Sequence, residues 1–255
     1  MRDSELGSTI FTAGENMQQR LFLMQEAAAP LGFSSLVYDY TPVSCTPDHQ
    51  LIRPNIMKTV NLPESFETLW MEEDYFAIDL VQQVCQMTSR PFVWSHFDGQ
   101  NHIFGRDWGP EQQPVVRYML DSRLTCGLTV PIHSPRGALT TITGICIDPE
   151  PSFVRDARQN IAAFTLLALE LNEALYADFD EEMQNCRLMR LTPRETECIS
   201  LSAQGMTAEQ IARHIRRSLP TVTFHLNRVA RKLGARNRAH AVALAGHYRL
   251  LKSLN

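Results

Sequence analysis

The chain has 255 residues, 44% of them hydrophobic and 20% charged, with 12 Gly, 14 Pro and a formal net charge of −4. That balance suits a globular chain of one large or two ordinary domains, and it excludes fibrous and low-complexity classes. No stretch of roughly 18 uncharged apolar residues reads as a membrane helix, and Met1–Thr9 lacks the apolar core of a secretory signal, so a cytoplasmic protein that does not engage the membrane is expected.

The six cysteines, Cys45, Cys85, Cys126, Cys146, Cys186 and Cys198, are dispersed with no C-x-x-C, which predicts reduced thiols and neither a disulfide framework nor a metal site. The small net charge hides a split. From residue 187 onward the chain carries 13 Lys and Arg against 3 Asp and Glu, a net of +10, and the preceding residues carry −14. Opposite charge on two parts predicts two domains with different partners, the basic one facing nucleic acid. The predicted organisation is a domain over 1–177, a link over 178–190 and a second domain over 191–255.

In chain order, Met17–Ala29 has Leu21, Met24 and Ala28 on one helical face. Phe33–Tyr40 is rich in strand formers. Pro63–Glu73 starts with Pro in the first turn and carries Phe66, Leu69 and Trp70 at helical spacing. Tyr75–Met87 reads as one further helix, Pro91–Trp94 as a short strand and Pro110–Asp121 as a helix. Cys126–His133 and Ala138–Ile147 flank Ser134-Pro135-Arg136-Gly137, whose Pro and Gly suit a type I turn, so the two runs predict a hairpin. Ser152–Ala177 reads as a long helix with Ser152 as its cap. Strands mixed with helices and ending in a hairpin predict an α+β domain: an α-β-α sandwich with an antiparallel sheet covered by helices.

The last 65 or so residues read as four helices: Pro193–Ala203, Ala208–Arg216, Pro220–Leu233 and Arg238–Leu251. Thr192, Thr207 and Ser218 stand at N-cap positions, and Gly205 and Gly234 follow the first and third helices. On the third helix Val222, Leu226, Val229 and Leu233 form the core stripe. The other faces carry Thr221, Thr223, Phe224, His225, Asn227, Arg228, Arg231 and Lys232. A packed stripe opposite a face of amide and guanidinium donors is what a helix needs to read base edges in a major groove. Thr207 and Thr221, at helix starts, suit phosphates. The assigned DNA-binding residues are therefore Thr207, Thr221, Thr223, Asn227, Arg228, Arg231 and Lys232.

The segment from Leu191 through Thr192, Arg194, Glu195, Glu197, Gly205, Ile211, Ala212, Ser218, Thr221, Val222, His225, Leu226, Lys232, Leu233, Gly234, Asn237 and Arg238 to Ala241 resembles the helix-turn-helix domain of LuxR-family bacterial transcription factors. The resemblance implies promoter binding as a homodimer through the third helix, with RNA polymerase as a further partner. Thr223 departs from it, since many members carry a cation there. More loosely, residues 17–177, with F-V-W, C-G-L-T-V-P-I-H and a hairpin before a long helix, are similar to the autoinducer-binding domain of quorum-sensing LuxR proteins.

That second resemblance implies a sandwich enclosing a small-molecule signal such as an N-acyl homoserine lactone, with no other cofactor. It implies that Asp79 accepts from the ligand amide, that Trp94 packs near the lactone ring, and that Thr143 helps hold the acyl carbonyl. Gly127 matches the glycine on the strand, and Leu139 shares the strand face of Thr143 by even spacing. A buried Asp79 without a partner would be costly, and a ligand donor would relieve that cost. Tyr38, Tyr40, Phe66, Trp70 and Leu80 complete the expected pocket, with core filling as the other role for the aromatics.

Three departures bear on the ligand. Phe66 stands where the family has a Trp that donates to the lactone carbonyl, and Phe has no donor. Trp70 stands in place of a Tyr, as in the plant-responsive subgroup, which takes non-lactone plant compounds. The stretch between Trp94 and Gly127 is longer than usual, with Gly105-Arg106-Asp107-Trp108-Gly109 in the extra part as a surface loop or lid. The alternative function is a DNA-binding regulator whose first domain is a ligand-independent dimerisation or interaction module. Enzymatic chemistry is not expected, because Asp79, His133 and the cysteines show no nucleophile–base spacing.

Overall fold

A computed structural model describes residues 10–12, 14–96, 102–103, 106–107, 109–134, 137–147, 152–186 and 188–252. The chain forms two compact units, Met1–Asp180 and Glu181–Asn255. Among the described residues no helix is long and apolar enough to cross a membrane.

The first unit runs α1 (Met17–Ala28), β1 (Ser35–Thr41), β2 (Ile56–Val60), α2 (Ser65–Met71), α3 (Tyr75–Ile78), α4 (Leu80–Cys85), β3 (Phe92–Ser95), β4 (His102–Ile103), β5 (Arg106–Asp107), α5 (Gln113–Asp121), β6 (Cys126–His133), β7 (Leu139–Cys146) and α6 (Phe153–Tyr176). It is an α+β sandwich around an antiparallel five-stranded sheet in the order β2-β1-β7-β6-β3. Paired residues on antiparallel strands share a sheet face. Val37 pairs with Thr143, Asp39 with Thr141, Thr129 with Thr143, and Trp94 with Gly127. One face therefore carries Val37, Asp39, Thr129, Thr141, Thr143, Ile145 and Trp94 toward α2–α5. The other carries Leu36, Tyr38, Tyr40, Ile142 and Gly144 toward α1 and α6.

Two glycines let rings lie against the sheet. A Cβ on Gly127 would come within 2.6 Å of Trp94 Cζ2, and one on Gly144 within 2.7 Å of Phe33 and 2.8 Å of Phe164. Any side chain at either place would push an aromatic ring off the strand.

Several boundaries differ from the sequence reading. The helix expected over Tyr75–Met87 is broken at Asp79, whose extended backbone (ψ 117°) ends α3 while its side chain caps α4 by accepting from Val81 N. Strand β2 was not foreseen. Its half-buried I-M-K-T-V pairs with β1 at the sheet edge. Ser152 does not cap α6 through its side chain. In the expected hairpin turn, Pro135 and Arg136 lie outside the described residues, and Gly137 N–H donates to Ser134 O at 2.8 Å. Gly105 and Trp108 of the extra segment lie outside them as well.

The second unit contains α7 (Glu181–Gln184), α8 (Pro193–Ala203), α9 (Ala208–His214), α10 (Leu219–Lys232) and α11 (Arg238–His247). The side chains of Thr192, Thr207 and Ser218 cap α8, α9 and α10, the first two within full capping boxes. The core is built on Cys198, Leu201, Ile211, Ala212 and Val222, with Leu226 packed on it. Helix α11 stops short of the expected Leu251 because Arg249 turns left-handed (φ 56°) and Leu250 N–H closes back on Ala245 O.

Candidate functional site

Between the sheet and α2–α5 lies a small cavity lined by Val37, Phe66, Trp70, Asp79, Val81, Gln82, Trp94, His96, Val115, Met119, Thr143 and Ile145. The space open to the centre of a water molecule is about 20 Å³, room for one or two waters. Helix α2 supplies its roof and is fastened to edge strand β2 by Glu67, which accepts from Thr59 N and Oγ1 (both 3.1 Å) and from Lys58 Nζ (3.2 Å). Phe66 and Trp70, one helical turn apart, stack at 4.0 Å with an 8° interplanar angle. Tyr75 and Tyr118 meet the Trp70 ring edge-on at 5.4 and 5.7 Å.

Two polar constellations face this cavity. In the first, Asp79 Oδ2 accepts from Trp70 Nε1 at 2.9 Å and Oδ1 from Val81 N at 2.8 Å. Asp79 thus has donors within the protein before any ligand donor is considered. Trp70 spends its donor on Asp79 and so does not replace the one missing at Phe66. Burial still raises the Asp79 carboxyl to about 6, against the pull of the Trp70 and backbone hydrogen bonds.

In the second, Trp94 Nε1 donates to Thr129 Oγ1 at 3.0 Å, and Thr129 and Thr143 share a hydrogen bond at 2.9 Å. Indole can only donate, so Thr129 accepts from it, and either hydroxyl of the Thr129–Thr143 pair can give the proton they share. When Thr129 is the donor of that bond, the Thr143 proton can turn toward the cavity. His96, beside the Trp94 ring, is kept neutral because burial lowers its pKa to about 4.

Of the expected pocket residues, Phe66, Trp70, Asp79, Trp94 and Thr143 come together around the cavity. Tyr38 and Tyr40 do not. Strand alternation puts them on the opposite face, where Tyr40 packs on Tyr176 and Phe179 at 6.1 and 4.7 Å. Leu80 and Leu139 sit in the adjoining apolar core and do not line the cavity. Val37, Val81, Gln82, His96, Val115, Met119 and Ile145 of the lining, and Thr129 behind it, were missed. For Thr129 and Ile145 the usable signal was even spacing on the hairpin strands from Gly127 and Thr143.

On α10, Thr223, Asn227 and Arg231 recur every four residues along one exposed face and make no hydrogen bond or ion pair among the described residues. The other expected DNA contacts are engaged within the unit. Lys232 Nζ donates to Glu195 Oε2 (2.6 Å) and Arg190 O (3.1 Å). Arg228 Nε lies 3.2 Å from Glu195 Oε1, with its guanidinium 5.6 Å from the Phe224 ring centre. Thr207 is occupied as a cap, and the Thr221 hydroxyl is bonded to Ser218 (2.8 Å). Phe224 was not foreseen as a site residue. It is 55% exposed on the polar face of α10, an apolar ring out of register with the core stripe.

Residues 17–175 match the family described as "Autoinducer binding domain", and residues 189–245 match "Bacterial regulatory proteins, luxR family". The chain is 28% identical over 235 residues to the transcriptional activator protein BjaR1 of Bradyrhizobium diazoefficiens, covering 89% of this chain and 87% of that one. It is 32% identical over 196 residues to the HTH-type quorum sensing-dependent transcriptional regulator RpaR of Rhodopseudomonas palustris, covering 75% and 74%. These relatives are named as regulators and not as enzymes. The fold is similar to that of Escherichia coli SdiA (TM-score 0.56, 20% identity, 94% of each chain) and of SdiA in complex with octanoyl-rac-glycerol (TM-score 0.58, 22% identity, 95% of this chain and 93% of that one).

Proposed function

The chain belongs to the luxR family of bacterial regulators that carry an autoinducer-binding domain, and we propose that it is a cytoplasmic transcription factor whose promoter binding responds to a small amphiphilic ligand held under α2. The observation that carries this reading is the meeting of Asp79, Trp94 and Thr143 around one apolar-walled cavity, in a chain that also presents a basic helix-turn-helix unit. The ligand class is an N-acyl homoserine lactone or a related non-lactone acyl compound. Asp79 has acceptor capacity left beside its two internal bonds and takes the ligand amide N–H, and the Thr143 hydroxyl meets the acyl carbonyl. The octanoyl glycerol held by SdiA supports an acyl compound without a lactone ring as an alternative within the class.

A homodimer is part of the proposal. Helix α6 exposes Leu166 (58%) and Leu169 (43%), neighbours on one helical face, and α1 exposes Phe22 (50%). RNA polymerase is the partner through which a promoter-bound dimer acts on transcription. A ligand-independent first unit is the second reading. The small cavity and the internally paired Asp79 favour it.

A thermal-shift panel on the full chain tests the two. It holds homoserine lactones of graded acyl length beside octanoyl glycerol and other acyl esters. A ligand at about 100 times its dissociation constant adds roughly 2.7 kcal/mol, a shift of several degrees. A flat panel overturns the ligand reading in favour of the second.

The DNA side has its own expected result. On a duplex selected from a random pool by the wild-type protein, Asn227→Ala weakens binding by about 1–3 kcal/mol and relaxes base preference. Arg231→Ala lowers affinity for all sequences and reduces the salt slope by about 1. Unchanged affinity in gel-shift titrations of both variants would remove this face of α10 from the interface.

A further inference from the structure

Strand β1 places a carboxylate, Asp39, on the sheet face that turns toward α2–α5 and bears Val37. Asp39 is 1% exposed and Gln82 of α4, opposite it, 4%. Gln82 Nε2 donates to Asp39 Oδ2 at 3.0 Å, and the Thr141 hydroxyl donates to the same oxygen in a short hydrogen bond. The donors of this cluster thus converge on one atom. Asp39 Oδ1 and Gln82 Oε1, both sealed from bulk water, accept no hydrogen bond among the described residues.

The cluster is therefore rich in acceptors and poor in donors. An ionised carboxyl and an amide oxygen offer about six lone-pair sites, against the amide N–H groups and one hydroxyl. Unpaired buried acceptors are costly to keep. Among the described residues no cation offsets them: the charged group that acts on Asp39 is Asp79, of like sign, and burial holds the nearby Cys85 as a neutral thiol. Burial accordingly raises the Asp39 carboxyl to about 7, against the pull of the Thr141 and Gln82 hydrogen bonds. Gln82 lines the cavity beside Val37, and Asp39 stands behind it, held by the Gln82 hydrogen bond and apart from the Trp94–Thr129–Thr143 chain.

We propose that Gln82 and Asp39 form a second polar subsite of the pocket, one that takes a hydroxyl group on the acyl portion of the ligand. The proposal rests on the ligand reading above. That reading gives the amide of the ligand to Asp79 and its carbonyl to Thr143. This subsite adds a requirement on the acyl chain: a hydroxyl at the position that reaches Gln82, which follows Asp79 by three residues on α4.

The test uses the full chain and matched pairs of N-acyl homoserine lactones, each acyl length in a plain form and in a form with a terminal hydroxyl. The hydroxylated partner is expected to bind about tenfold tighter at the length that reaches Gln82, by calorimetric titration. In the Asp39→Val, Gln82→Leu double variant the order reverses in favour of the plain chain. If that variant does not fold, the wild-type comparison still decides. Equal or tighter binding of the plain member at every length overturns the subsite while leaving the ligand reading intact, and a water held between Gln82 and Asp39 would give that result. Binding of neither member at any length overturns both.

Discussion

Glu195→Ala is expected to cost the helical unit about 3 kcal/mol. Glu195 is 1% exposed and holds three things at once. Its Oε2 accepts from the Thr192 amide at 2.8 Å, closing the α8 capping box, and from Lys232 Nζ at 2.6 Å, and its Oε1 lies 3.2 Å from Arg228 Nε. Burial alone would raise its carboxyl, but Lys232 and the Thr192 amide outweigh burial and hold it below the ordinary range. Losing the cap costs about 1 kcal/mol, and breaking a fully buried ion pair about 3–5. Lys232 and Arg228 keep 34% and 45% of their side chains in solvent and can rehydrate, which places the sum at the lower end. Glu195→Gln keeps an oxygen for the Thr192 amide and loses only the charge, so about half the cost is expected. Amide hydrogen exchange over α8–α10 in the full chain reads this loss directly. Protection that stays at the wild-type level in Glu195→Ala would refute the assigned role.

Asp39 and Asp79 are expected to withdraw stability from the first unit as pH rises from about 4 to 7, the reverse of ordinary carboxylate behaviour. Asp39 and Asp79 titrate near 3.8 when unfolded and are raised to about 7 and about 6 when folded. Between those values the folded state binds more protons than the unfolded one, so stability has a negative slope against pH. The contribution is fully present below pH 3.8 and is lost as pH climbs through the folded values. Each tenfold change in proton affinity is worth about 1.4 kcal/mol, so Asp39 is responsible for of order 2–4 kcal/mol across that window. Within the same unit His96, lowered to about 4 by burial, and Asp156, also lowered, slope the other way. The informative quantity is therefore the difference between wild type and Asp39→Asn. Urea titrations followed by tryptophan emission report on this unit, where buried Trp70 and Trp94 lie. The variant is expected to show a flatter profile, and parallel profiles would mean that Asp39 is paired by something other than Gln82 and Thr141.

Much of the architecture is legible in the sequence because it is local. Thr192, Thr207 and Ser218 announce their helices through capping chemistry confined to four residues, and the stripe from Val222 to Leu233 is a matter of helical period. The hairpin β6–β7 follows from two apolar runs joined by a short turn. Asp79, Trp94 and Thr143 were reached through family resemblance, and the fold brings them together. What stayed hidden depends on strand parity and on distant pairing. Tyr38 and Tyr40 look like pocket residues by type, but β1 turns Val37 and Asp39 to the cavity face and sends the tyrosines to α6. A polar residue in a strand or a short helix reads as a solvent contact, so Asp39 and Gln82 gave no signal until α4 was seen to lie over β1. Lys232 reads as a phosphate contact on a helical wheel. Only the packing of α10 against α8 shows it bound to Glu195.

The hydrogen bond from Trp70 to Asp79 also has an optical consequence. An excited indole moves electron density from its pyrrole ring toward its benzene ring, so a negative charge beside the ring nitrogen stabilises the excited state and shifts emission to the red. Asp79 Oδ2 stands 2.9 Å from that nitrogen. Neutralising Asp79, or drawing its charge onto an arriving donor, moves the emission of Trp70 to the blue. The chain thus carries a native chromophore wired to the carboxylate at the centre of its pocket.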